Sequence, residues 1–114
     1  MNRMVKGALV GAALALGVWS APTFAAVDAD AAQALAKKND CMKCHSVDKE
    51  KKAPSYKKIA AKYKGKPDGE EQAIKSITTG PKIKLDDGTE EEHKIVKTND
   101  TAAIKNLAAW ILSQ

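Results

Sequence analysis

The chain has 114 residues, 19 Lys and Arg against 14 Asp and Glu, a formal charge of +5, and only 4% aromatic residues. That length holds one small domain, in which a core of side chains alone is marginal, so a bound group that fills the middle is expected. The two cysteines, Cys41 and Cys44, are three positions apart, and a bridge closing so short a loop constrains little of the unfolded chain, which excludes a disulfide scaffold.

Residues 1–25 read as a secretory leader. Arg3 and Lys6 give a positive start, residues 7–18 an apolar run, and Thr23-Phe24-Ala25 small residues at both recognition positions, with the cut after Ala25. The run is too short and too rich in Ala and Gly to span a bilayer, where about 20 strongly apolar residues are wanted. No stable membrane insertion is expected once it is removed. The domain is then 26–114, with 17 Lys against 14 acids. Residues 37–66 hold 11 Lys and 3 acids, whereas 67–100 hold 5 Lys and 9 acids, so the domain is electrically lopsided. The Lys-rich part suits docking to an acidic protein surface and, having no Arg, does not suit nucleic acid. Solvated lysines explain it equally well.

In chain order, Asp28 or Asp30 caps a first helix running to about Asn39, with Ala31, Ala34 and Leu35 as its apolar stripe. Residues 49–53 are a polar connection, and Pro54 is followed by Ser55, the cap of a second helix with Tyr56, Ile59, Ala60 and Tyr63 on one side. Gly65-Lys66-Pro67 ends it. Residues 70–79 form a third helix with Ala73, Ile74 and Ile77 inward, stopped by Gly80-Pro81. The period then changes: Lys82-Ile83-Lys84-Leu85 alternates, Asp86-Asp87-Gly88 turns, and 92–96 form the returning arm of a short hairpin. Asn99 or Asp100 caps a last helix over 101–113, with Ile104, Leu107, Ala108, Ile111 and Leu112 on its apolar face and Trp110 near the edge.

Cys41-Met42-Lys43-Cys44-His45 has the Cys-x-x-Cys-His form that attaches haem: two thiols one helical turn apart add to two vinyl groups, and the adjacent His reaches the iron. A thioredoxin-like dithiol wants a strand before the motif, and here a helix precedes it. Structural zinc wants four ligands, and beyond these three the domain offers one other His.

With the stretches Ala34 to His45, Ala53-Pro54-Ser55-Tyr56 to Tyr63, and Leu107-Ala108-Ala109-Trp110-Ile111-Leu112, the chain resembles small class I bacterial cytochromes c over nearly all of 26–114. The resemblance implies an all-α cytochrome c fold: about four helices around one covalently bound haem c, a short hairpin before the last helix, and first and last helices that cross. It also implies that the Pro54 carbonyl accepts a hydrogen bond from the free ring nitrogen of His45.

Two positions depart from that family. Asp40 stands where Gly commonly precedes the first Cys, a change that would tighten helix capping. No Met precedes the last helix; Met42, the one Met of the domain, lies between the attaching cysteines and cannot reach the far face. His93 stands seven residues before Asp100, where that Met is expected. Bis-histidine ligation by His45 and His93 follows, and with it a low reduction potential, because Met is the ligand that raises it. Should His93 be an ordinary loop residue, Lys94, another Lys or water takes the sixth position. The expected protein is an exported, periplasmic electron carrier and not an enzyme, steered to redox partners by Lys43, Lys49, Lys51, Lys52, Lys57 and Lys58. A gas sensor or peroxidase-like protein with an open or labile sixth site is the competing reading.

Overall fold

The computed structural model describes residues 11–17 and 26–114. Of the expected leader, only 11–17 are described, without helix or strand and with Leu14 and Leu16 exposed; the rest, including the cut after Ala25, lies outside the described residues. Among the described residues no helix is long and apolar enough to cross a membrane.

Helix α1, Ala29–Lys38, is built from strong helix formers and starts where the Asp28 carboxylate accepts a hydrogen bond from the Ala31 amide at 3.0 Å. Lys37 and Lys38 in its last turn suit the negative end of the helix dipole. Its inward face is Ala32 and Ala36, with Leu35 partly covered; the expected Ala31 and Ala34 are exposed. The stripe is displaced because the inward face is set by the direction in which α1 crosses the last helix, which alternative alanines in the same helix do not record. That helix, α4, Thr101–Leu112, is capped by Asp100, whose carboxylate accepts from the Ala103 amide. It buries Leu107 and Ala108 almost completely where it packs on α1, and burial of a side chain the size of Leu107 is worth about 1.5–3 kcal/mol. A reciprocal clasp seals the crossing: the Asp28 amide donates to Asn106 Oδ1 and Asn106 Nδ2 donates to the Asp28 carbonyl, both at 2.9 Å. Trp110 is interior rather than at the edge, because Tyr56 meets it edge-on with ring centres 5.2 Å apart.

Asp40 ends α1 with φ +61°, the left-handed conformation that favours Gly and tolerates Asp. It makes no capping hydrogen bond; its carboxylate pairs instead with Lys43 Nζ at 3.1 Å. A 3-10 turn, Cys41–Lys43, follows directly. Helix α2, Tyr56–Tyr63, starts at Ser55, whose Oγ accepts from the Lys58 amide at 3.1 Å, and buries Tyr56 and Ala60. Helix α3, Gly69–Thr79, buries Ala73 and Ile77 and ends at Gly80, φ +61°.

Strands β1, Lys82–Lys84, and β2, Glu90–Glu92, pair antiparallel with Lys82 opposite Glu92, Ile83 opposite Glu91 and Lys84 opposite Glu90. The returning arm comes earlier than the expected 92–96. The cause is local: the Leu85 amide donates to the Thr89 carbonyl at 2.8 Å, and Asp87 Oδ1 accepts from the amide and hydroxyl of Thr89, closing the turn at once. His93 adds one more rung to the hairpin through its amide and the Pro81 carbonyl, after which the chain reaches the last turn of α3, where the Val96 amide donates to the Ile77 carbonyl and Val96 is buried.

Candidate functional site

The backbone between α1 and α2 is a tied loop. The His45 amide donates to the Cys41 carbonyl at 3.0 Å, the Ala53 amide to the Cys44 carbonyl at 3.1 Å and the Tyr56 amide to the Ser46 carbonyl at 2.8 Å. These bonds bring Pro54 beside His45. The ring Nδ1 of His45 lies 2.7 Å from the Pro54 carbonyl oxygen, which makes Nδ1–H the donor and leaves Nε2 free. Tyr56 stacks on the other side of the ring, centres 5.2 Å apart and planes 24° from parallel. Burial pushes the His45 imidazole below its ordinary pKa, against the Pro54 bond, which favours the charged form; His93 adds a smaller push down. Neutral imidazole, the ligating form, is thereby favoured.

Cys41, His45, Pro54 and His93 line a single cavity of about 440 Å³, within the range of cofactor sites. Ile59, Ala73, Ile77, Ile83, Leu107 and Ile111 supply its apolar walls. Cys44, at the end of the 3-10 turn, is half-buried beside the cavity and not among its lining residues. The two sulfurs are not bonded to each other, and burial raises the Cys41 thiol above its ordinary pKa. His93 sits across the cavity from His45, with ring centres 6.1 Å apart and planes tilted by 52°. Its Nδ1 is buried and has no hydrogen-bond partner. Among the described residues, no group of three or more His, Cys, Asp or Glu is gathered to hold a metal ion.

The sequence model of the family described as "Cytochrome c" matches residues 29–114. The chain belongs to the cytochrome c family. A 57% identical solved structure, the class 1 cytochrome MtoD from Sideroxydans lithotrophicus ES-1, superposes with a TM-score of 0.75, covering 77% of this chain and 97% of that one. Wild-type cytochrome c552 of Nitrosomonas europaea is 33% identical, with a TM-score of 0.55 over 71% and 96% of the two chains. Cytochrome c-551 of Pseudomonas aeruginosa is 30% identical over 104 residues, 91% of this chain and 88% of its own length. The cytochrome c-551 of Pseudomonas denitrificans is 44% identical over 48 residues, and the match spans 58% of that relative.

Cytochromes c carry one covalently attached haem c and pass electrons through it, and the site of this cytochrome c fits that group: two thiols one turn apart, an oriented imidazole, and apolar walls. Several lining residues escaped the sequence. Ser76 and Ile83 lie on elements read only as scaffold, and Lys58, grouped with the docking lysines, lines the cavity together with Lys62. The alternation at residues 82–85 did signal that Ile83 faces inward.

Proposed function

We propose that this protein is a periplasmic carrier of single electrons, not an enzyme, with haem c attached through Cys41 and Cys44 and its iron held between His45 and His93. The observation that carries the reading is the facing pair of imidazoles. Two rings each bonded to one metal at about 2 Å have centres about 6 Å apart, which is the separation of His45 and His93. Haem, when bound, supplies a site that takes up and returns one electron. The chain does the rest. Pro54 holds His45 by its ring N–H, Tyr56 fixes the ring's face, and the apolar walls keep water from the middle of the cavity. Two imidazoles without a thioether give a low reduction potential.

Export rests on the leader at 1–25, which leaves 26–114 as the working domain. Acidic redox proteins dock on the Lys-rich side. Lys43, Lys57 and Lys58 are ion-paired with Asp40, Asp48 and Glu50, so steering falls mainly to Lys49, Lys51 and Lys52.

The test is a set of ferric and ferrous absorption spectra with and without carbon monoxide, for wild type and His93→Ala. A low-spin wild type that ignores carbon monoxide, beside a variant that binds it, is the expected result. Ready binding by the wild type puts an open or labile sixth site, and the sensor or enzyme reading, in its place. His93→Met is expected to raise the midpoint potential.

A further inference from the structure

The two histidines are held differently. His45 has the outer partner that ligating histidines almost always have, the Pro54 carbonyl. His93 has none, since its Nδ1 is buried without a partner. Something other than a ring hydrogen bond must fix where the His93 side chain stands.

The candidates are main-chain groups of the last hairpin rung and of the end of α3. The His93 amide donates to the Pro81 carbonyl at 2.9 Å, and the Val96 amide to the Ile77 carbonyl at 2.8 Å. Between these two bonds lies Gly80. A Cβ built on Gly80 would meet the His93 carbonyl oxygen and Ile95 Cγ2, both at 3.1 Å. That is tighter than ordinary van der Waals contact, and one of the two atoms is backbone, which cannot swing aside. The segment 93–95 therefore lies against the bare Cα of Gly80, pinned on either side.

We infer that Gly80 is a positioning residue for His93: its missing side chain lets the 93–96 segment seat against the end of α3, and that seat, together with the hairpin rung to Pro81, aims the second imidazole. The inference rests on the bis-histidine reading. It makes His93 the ligand that backbone displacement releases, while His45 is insulated by its own hydrogen bond.

The experiment uses the mature holoprotein in four forms: wild type, His93→Ala, Gly80→Ala and Gly65→Ala. Gly65 is the control, because it has φ +76° but nothing within 4 Å of a built Cβ, so Ala there carries the left-handed strain without the contact. Carbon monoxide binding to the ferrous form, the midpoint potential and the melting temperature are read for each. The expected result is that Gly80→Ala raises the carbon monoxide-accessible fraction by about 10- to 100-fold, the range for losing outer support of a metal ligand, while Gly65→Ala only melts earlier. If Gly80→Ala refuses carbon monoxide and keeps the wild-type potential, the role assigned to Gly80 is overturned, whatever its melting temperature. If His93→Ala also refuses it, the ligation reading itself fails, and the inference with it. Amide exchange in the wild-type holoprotein tests the seat even if Gly80→Ala does not mature: a protected Val96 amide, the one bonded to α3, supports it, and a freely exchanging one overturns it.

Discussion

The turn that carries His45 and the segment that carries His93 line one cavity, yet they are stabilised in different ways. His45 follows a 3-10 turn at the end of a capped helix, its ring is hydrogen-bonded at 2.7 Å, and Tyr56 stacks on it with Trp110 behind. His93 follows a three-residue strand whose side chains are all exposed, and its ring has no hydrogen bond at the buried nitrogen. One imidazole is fixed by side-chain contacts and a carbonyl, the other by where the backbone runs. A site can thus join a rigid wall to one that depends on a neighbouring helix end.

Four changes break or sharpen that contrast. The largest effect is expected from Cys41→Ser with Cys44→Ser, which leaves no thioether bond: haem should pass entirely into acidified organic solvent, whereas the wild type retains it. Trp110→Ala removes the ring behind Tyr56, and large-to-small changes of this kind cost about 3–5 kcal/mol. Denaturant unfolding of the holoprotein measures it, and a cost below 1 kcal/mol would show that the His45 wall does not rely on its aromatic backing. Asn39→Ala tests a side chain that joins the two regions, since Asn39 Nδ2 donates to the Leu35 carbonyl and Oδ1 accepts from the Lys97 amide. A loss of about 1–3 kcal/mol is expected, with faster amide exchange at Lys97 than at His45. Pro54→Ala keeps the carbonyl and acts mainly by loosening the unfolded chain, with a small loss of cavity wall, so about 0.4–1 kcal/mol should go with no change in the low-spin spectrum.

The His45 region was legible in the sequence because its signals are local. Cys41-x-x-Cys44-His45, the Pro54 break and the Ser55 cap each act within a few residues of where they stand, and the four helices follow from caps and apolar spacing. The face of α1 lies one position from where its spacing points, because it is chosen by a crossing with α4 that no local pattern records; Ala31, Ala32, Ala34 and Ala36 are alike in side chain, and only the crossing buries Ala32 and Ala36. Spacing puts Trp110 near the edge of the helix's apolar face, yet it is buried in the fold, for the same reason: Tyr56, 54 positions away, meets it there, and no local pattern records that contact. The hairpin came out early because the Asp87 side chain closes the turn. Gly80 was legible as a helix stop, but not as the floor under His93, since that contact exists only once the chain has come back.

The clasp between Asp28 and Asn106 has a kinetic side. It joins residues 78 positions apart, and bringing such ends together costs a flexible chain about 4 kcal/mol, with a constant added. The attachment turn, α2, α3 and the hairpin all lie inside that ring. The crossing of α1 on α4 is therefore the contact with most to gain from anything that draws the ring in beforehand, and under the proposed ligation a group bonded at Cys41 and reached by His93 would divide one long closure into shorter ones.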